Sequence, residues 1–101
     1  MQLFLWGRKM MKKEKQMTQY LTLYSRSYCH LCDDMREALA PLVIDSGVML
    51  RVVDVDDDPE LIALYDELVP VLVGYSPQDG EQQLCHYFLD NQAVMHFLAK
   101  N

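Results

Sequence analysis

Ser25-Arg26-Ser27-Tyr28-Cys29-His30-Leu31-Cys32-Asp33-Asp34-Met35 carries two cysteines three apart, and the residues on either side of it decide the fold. Ahead of it, Tyr20-Leu21-Thr22-Leu23-Tyr24 alternates and is rich in aromatic and β-favouring residues, which predicts a strand breaking into a loop at Ser25. Behind it, Leu31, Met35, Ala38, Leu39 and Leu42 recur at helical spacing, and Asp33, Asp34 and Glu37 fall early, where negative charge suits the helix dipole. The cysteine pair therefore sits at a strand-to-helix junction. There the first sulfur meets free N–H groups and the positive end of a helix dipole, both of which favour a thiolate. A second thiol one helical turn away can then attack a mixed disulfide formed on the first.

Working outward, Pro41 removes a backbone donor, so a kink or early end of the helix is expected there, with Ser46-Gly47 closing the segment. Met49 to Val55 predicts a second strand. Asp58-Pro59-Glu60 supplies an N-cap, a proline at the first helical position and an early acid. The helix it opens carries Leu61, Leu64, Tyr65 and Leu68 on one face. Val69 to Gly74 is a short apolar run, followed by the turn-rich Ser76-Pro77-Gln78-Asp79-Gly80 and a strand read as Leu84 to Leu89. Asp90 or Asn91 caps a last helix whose Val94, Phe97 and Leu98 face inward. The order is β-α-β-α-β-β-α: an α/β domain with a four-stranded mixed sheet flanked by helices, its first three strands joined by crossover helices and its last pairing antiparallel at an edge. Residues 1–16 lack periodicity and are expected to form an unstructured extension, leaving 17–101 as the domain.

Charge narrows the function. The net charge of −6 hides a basic cluster at Arg8, Lys9, Lys12, Lys13 and Lys15; from residue 16 onward four basic residues face fourteen acidic ones, a balance of −10. A domain that acidic, with no basic stripe, does not suit nucleic acid. The apolar opening, Met1 to Trp6, lacks the form of a signal peptide, and no stretch approaches the roughly 20 apolar residues of a membrane span. The expectation is a cytoplasmic protein. In that reducing setting three cysteines do not read as a structural disulfide framework, and a close pair reads as catalytic or metal-binding.

With these elements in place the chain resembles the glutaredoxin branch of the thioredoxin superfamily over about residues 20 to 100, and within it the small, little-characterised glutaredoxin-like proteins. Leu21-Thr22-Leu23-Tyr24-Ser25 is similar to the family's first strand. Arg26 stands where many glutaredoxins keep a lysine three residues before the nucleophile, Cys29 and Cys32 match the active-site pair, and Val69-Pro70 matches the family's residue and cis-proline beside the dithiol. The resemblance implies a thioredoxin-like fold and thiol-disulfide oxidoreductase activity. Cys29 would be the nucleophile and Cys32 the resolving thiol, with Arg26, Tyr28, His30, Val69 and Pro70 lining the substrate groove or tuning the thiolate. It implies protein or small-molecule disulfides as substrates, a reductase or dithiol as electron donor, and no required cofactor. Two departures weaken a glutathione site: His30 replaces the usual proline after the first cysteine, and the Gly-Gly turn before the last helix is missing, leaving Asp90 and Asn91 as its candidate contacts.

Other residues admit two readings. An imidazolium at His30 would favour the Cys29 thiolate, with Asp33 and Asp34 opposing it; alternatively His30 is a solvent-exposed loop residue. Cys85 and His86 could complete a zinc set with Cys29 and Cys32, but a strand starting at Leu84 puts Cys85 at the far end of the sheet, where it reads as a buried small hydrophobe. Asp54, Asp56, Asp57 and Asp58 lack the glycine and distant glutamate of a calcium loop, and helix capping accounts for them. Rival functions are a metal or iron-sulfur binding module and a non-catalytic adaptor that keeps the fold.

Overall fold

A computed structural model describes residues 18–99. The expected extension, residues 1–16, lies outside that range. In chain order the elements are β1 (Tyr20–Ser25), α1 (His30–Ser46), β2 (Met49–Asp54), a 3₁₀ turn (Val55–Asp57), α2 (Pro59–Tyr65), β3 (Val71–Ser76), β4 (Gly80–His86) and α3 (Asn91–Ala99). The four strands form one mixed sheet in the order β2-β1-β3-β4, parallel between β1 and β2 and antiparallel at both other pairings. Antiparallel pairing thus begins one strand earlier than the sequence suggests, at β1/β3. This is the thioredoxin-like architecture. Among the described residues no helix is long and apolar enough to cross a membrane.

Alternation along the two central strands separates the faces. Leu21 and Leu23 of β1 and Leu72 of β3 point to one side, where Met35 and Leu39 of α1 and Val94 and Phe97 of α3 close over them to form the core. On the opposite side Tyr24 stacks on Tyr65 of α2, ring centroids 4.5 Å apart. Burial in that contact pushes the phenol pKa values of both tyrosines up. Leu64 and Leu68 do not share the face read for them: Leu64 is 63% exposed, and α2 ends at Tyr65, before Leu68.

Three further differences have local causes. The α1 helix runs through Pro41 to Ser46. The bond Pro41 cannot donate would go to Glu37, and both residues are exposed, so water can satisfy that carbonyl while Leu42 and Val43 pack on the core and hold the last turns in place. Gly47, at φ +75°, ends the helix by donating its N–H to the Val43 carbonyl at 2.9 Å. The last strand starts at Gly80, not Leu84, because pairing with β3 resumes directly after the Pro77–Asp79 turn. Glu81, Gln82 and Gln83 are polar, and a hydrophobicity reading passes over them, yet their backbones belong to the ladder. A bulge opposite Leu72 and Val73 then inserts one residue, so the neighbours Leu84 and Cys85 both pack against the core.

Candidate active site

Pairing register brings the candidate residues to one end of the sheet. Tyr24, next to the end of β1, pairs with Val71, the first residue of β3. The loop to Cys29 and the Val69–Pro70 step therefore leave the sheet side by side. His86, the last residue of β4, also pairs with Val71, so the short connection to Asp90 and Asn91 starts from the same end.

Cys29 and Cys32 form a disulfide, with their α-carbons 5.2 Å apart. Cys29 is the N-cap of α1, in extended backbone, and its sulfur accepts the Cys32 N–H at 3.1 Å. Its carbonyl accepts the Asp33 N–H, also at 3.1 Å, so the capping residue starts the helix with both its sulfur and its backbone. The two sulfurs differ in access: Cys29 is half-buried and Cys32 is 3% exposed. Tyr28, immediately before Cys29, is fully exposed and lies in the left-handed region at φ +59°, a conformation disfavoured for an aromatic residue. His30 is exposed at the first position of α1.

The Val69–Pro70 peptide bond is cis, as the resemblance implies. Pro70 is buried and Val69 half-buried. The Val69 N–H is bonded back to the Tyr65 carbonyl at 3.2 Å, and the Pro70 carbonyl accepts the Tyr87 N–H at 2.9 Å. Tyr87 is itself in the left-handed region, at φ +66°, and its hydroxyl donates to the Glu67 carbonyl at 2.6 Å. Nothing in the local sequence signals this tie, since it depends on a backbone conformation tyrosine rarely adopts.

Arg26 is engaged at the surface by groups of its own chain. Its guanidinium donates to Asp56 Oδ1 at 2.6 Å, to Asp66 Oδ1 at 2.7 Å and to the Asp66 carbonyl at 3.3 Å. The Asp56 hydrogen bond, then that of Asp66, pushes its pKa up, keeping it charged. Within the acidic run, Asp54 Oδ1 accepts the Asp56 N–H and Asp58 Oδ1 accepts the Glu60 N–H, each at 2.9 Å, which is the capping the sequence suggests. The Asp56 side chain instead faces Arg26, a long-range pairing without a local signature.

Cys85 requires a correction. With β4 spanning Gly80 to His86, Cys85 pairs with Leu72 one row from Val71, so it lies toward the dithiol end of the sheet and not at the opposite end. It still packs against the core, and burial pushes its thiol pKa up, with a smaller opposing hydrogen bond from the Asp90 backbone. Cys85 should therefore react slowly with iodoacetamide at neutral pH and faster only as pH rises beyond the ordinary thiol range; fast labelling at pH 7 of the oxidised protein would contradict this. Asp90 caps α3, its Oδ1 accepting the Ala93 N–H at 3.0 Å. Among the described residues no group of three or more His, Cys, Asp or Glu side chains is placed to hold a metal ion.

The topology and the cysteine pair at its helix N-terminus define a thioredoxin-superfamily protein, with a bonded cysteine pair suited to redox chemistry. Within that class the chain belongs to the glutaredoxin-like domain family (DUF836), which it matches over residues 20–99. It is similar to protein Ne2328 of Nitrosomonas europaea, at 36% identity and a TM-score of 0.67, covering 79% of this chain and 91% of that one. It is also similar to the structural-genomics target protein XcR50 of X. campestris, at 36% identity and a TM-score of 0.55, covering 80% and 97%. The thioredoxin of Fasciola hepatica shares the fold at 16% identity and a TM-score of 0.65, covering 87% and 85%. No match is found among curated proteins.

Proposed function

We propose that this protein is a thiol-disulfide oxidoreductase acting on protein or small-molecule disulfides. The observation that carries the reading is the unequal access of two bonded sulfurs at a helix N-terminus, Cys29 reachable and Cys32 buried. In the reduced protein the Cys29 thiolate attacks one sulfur of a substrate disulfide. An S–S bond forms to Cys29, the substrate S–S bond breaks, and one substrate thiolate leaves. Cys32, as thiolate, then attacks the Cys29 sulfur. The Cys29–Cys32 disulfide forms and the second substrate thiolate is released. The dithiol has lost two electrons, the substrate has gained them, and the two cysteine protons end on the product thiols. An external dithiol resets the pair. Val69 and Pro70 shape the groove beside Cys29, where an extended substrate can run alongside the backbone of the Val69–Pro70 step ahead of β3. The test is reduction of insulin and of a small mixed disulfide by the dithiol-reduced protein. Turnover of neither, with an intact fold, would leave the adaptor reading in its place.

The electron donor in this reading is a protein dithiol or a reductase, with glutathione binding weakly. Three features support that: Arg26 is already engaged by two carboxylates, the Gly-Gly turn is missing, and the domain from residue 16 onward stands at −10 toward a peptide that is itself anionic. Titrating oxidised protein while following the Cys29–Cys32 disulfide should give ready reduction by a thioredoxin-type reductant and poor reduction by glutathione. Efficient, saturable reduction by submillimolar glutathione alone would overturn this choice of donor.

A further inference from the structure

Resting on the thiol-disulfide chemistry proposed above, we infer that Arg26 is a positioning residue: it ties the loop that presents Cys29 to the segment that presents Val69–Pro70, and so sets the opening through which a protein disulfide reaches the Cys29 sulfur. The two walls of that opening come from distant parts of the chain. Arg26 lies between the end of β1 at Ser25 and the N-cap Cys29. Asp66 closes α2 by donating its N–H to the Ile62 carbonyl at 2.9 Å, and stands three residues before Val69. One guanidinium nitrogen holds both the carboxylate and the carbonyl of Asp66, so it grips the backbone of the Val69 wall as well as a side chain. The other nitrogen holds Asp56, on the 3₁₀ turn that follows β2.

Two independent features fit a strut at this place. The same wall is also held by Tyr87, which donates to the Glu67 and Pro70 carbonyls, so the 66–70 segment is tied both to Arg26 and to the residue that follows β4. Tyr28, between Arg26 and Cys29, keeps a left-handed backbone, a conformation that persists only where its surroundings impose it. The anchor two residues earlier and the helix cap one residue later supply that constraint.

A lysine at this position keeps the charge but not the planar fork that reaches two carboxylates at once. The geometry therefore separates positioning from simple electrostatic support of the thiolate. Exposed ion pairs contribute little to stability, and both carboxylates here are nearly half exposed, so the change should register in kinetics more than in folding. The experiment compares wild type, Arg26→Lys and Asp66→Ala, in each case measuring kcat/KM for insulin and for a small mixed disulfide, together with the pH profile of Cys29 alkylation. We expect both variants to lower the insulin-to-small-disulfide ratio of kcat/KM about tenfold, an effect of misplacement at the reacting atoms. The alkylation profile of Arg26→Lys should stay in place. Should Arg26→Lys keep the wild-type ratio, or lose activity on both substrates equally with a shifted alkylation profile, Arg26 acts through charge and the inference falls. If one variant fails to fold, the other reads the same tie. A wild type inactive on both substrates would refute the proposed chemistry, and this inference with it; an active wild type with unchanged variants refutes the inference alone.

Discussion

Cys32→Ser converts a turning-over reductant into a trap: incubated with a disulfide-bearing protein it should accumulate a covalent adduct on Cys29, while Cys29→Ser accumulates none. The buried Cys32 sulfur sits one helical turn along α1 from the half-buried Cys29, with no diffusion needed to bring them together. Intramolecular attack of this kind reaches effective molarities of about 10⁵ M or more, which millimolar external thiol cannot match, so turnover should fall by at least about a hundredfold. Cys29→Ser removes the sulfur that a substrate can reach and should abolish exchange altogether. Cys85 also lies toward the dithiol end of the sheet, but it is partly buried in the core and its thiol is pushed toward the neutral form, so Cys85→Ser should leave trapping by Cys32→Ser intact. Non-reducing electrophoresis followed by peptide mass mapping reads all three variants. An adduct on Cys85, or normal turnover by Cys32→Ser, would refute the assignment of attacking and resolving thiols.

What could be read from the sequence and what could not divide along a physical line. Local signals translated directly. The cysteine pair lies at a strand-to-helix junction, Asp58 and Pro59 open α2, Gly47 ends α1, and Val94 and Phe97 are buried, because each depends on residues within one or two turns of the chain. Features set by partners far along the chain did not. Asp56 and Asp66 lie 30 and 40 residues from Arg26, and both look like ordinary solvated acids until the fold brings them to the guanidinium. The start of β4 was hidden for a related reason: Glu81, Gln82 and Gln83 join the ladder through backbone hydrogen bonds, to which hydrophobic patterning is blind. That four-residue displacement of the strand start moved Cys85 from one end of the sheet to the other, so a small error in an element boundary became a large error in where a thiol sits. The cis-proline stands apart. Nothing in the spacing around Pro70 specifies its isomer, and only the likeness to a family marked it.

The largest stability effect is expected at Phe97, where α3 meets β3. The Phe97 ring is fully buried and lies directly over Gly74, so close that a β-carbon on Gly74 would come within 2.7 to 3.0 Å of three ring carbons. Real side chains do not approach so closely, so the absent side chain at 74 is what allows the ring to pack this close to the sheet. Phe97→Ala removes the largest fully buried side chain between the sheet and α3 and should destabilise the oxidised protein by about 3–5 kcal/mol. For a domain of this length that is a fall in thermal midpoint of at least about 12 °C. Gly74→Ala should act in the opposite geometric sense, forcing the ring outward at a cost of about 1–3 kcal/mol. Because the two positions share one contact, their effects should not add. Gly74→Ala combined with Phe97→Leu, whose shorter side chain leaves room for the new methyl group, should be more stable than the sum of the two single changes allows. Urea unfolding of wild type, Gly74→Ala, Phe97→Leu and the double variant, with the Cys29–Cys32 disulfide kept intact throughout, measures that coupling. Strict additivity, or a neutral Gly74→Ala, would mean that the helix can shift freely over the sheet, and that Gly74 is not what sets the distance between them.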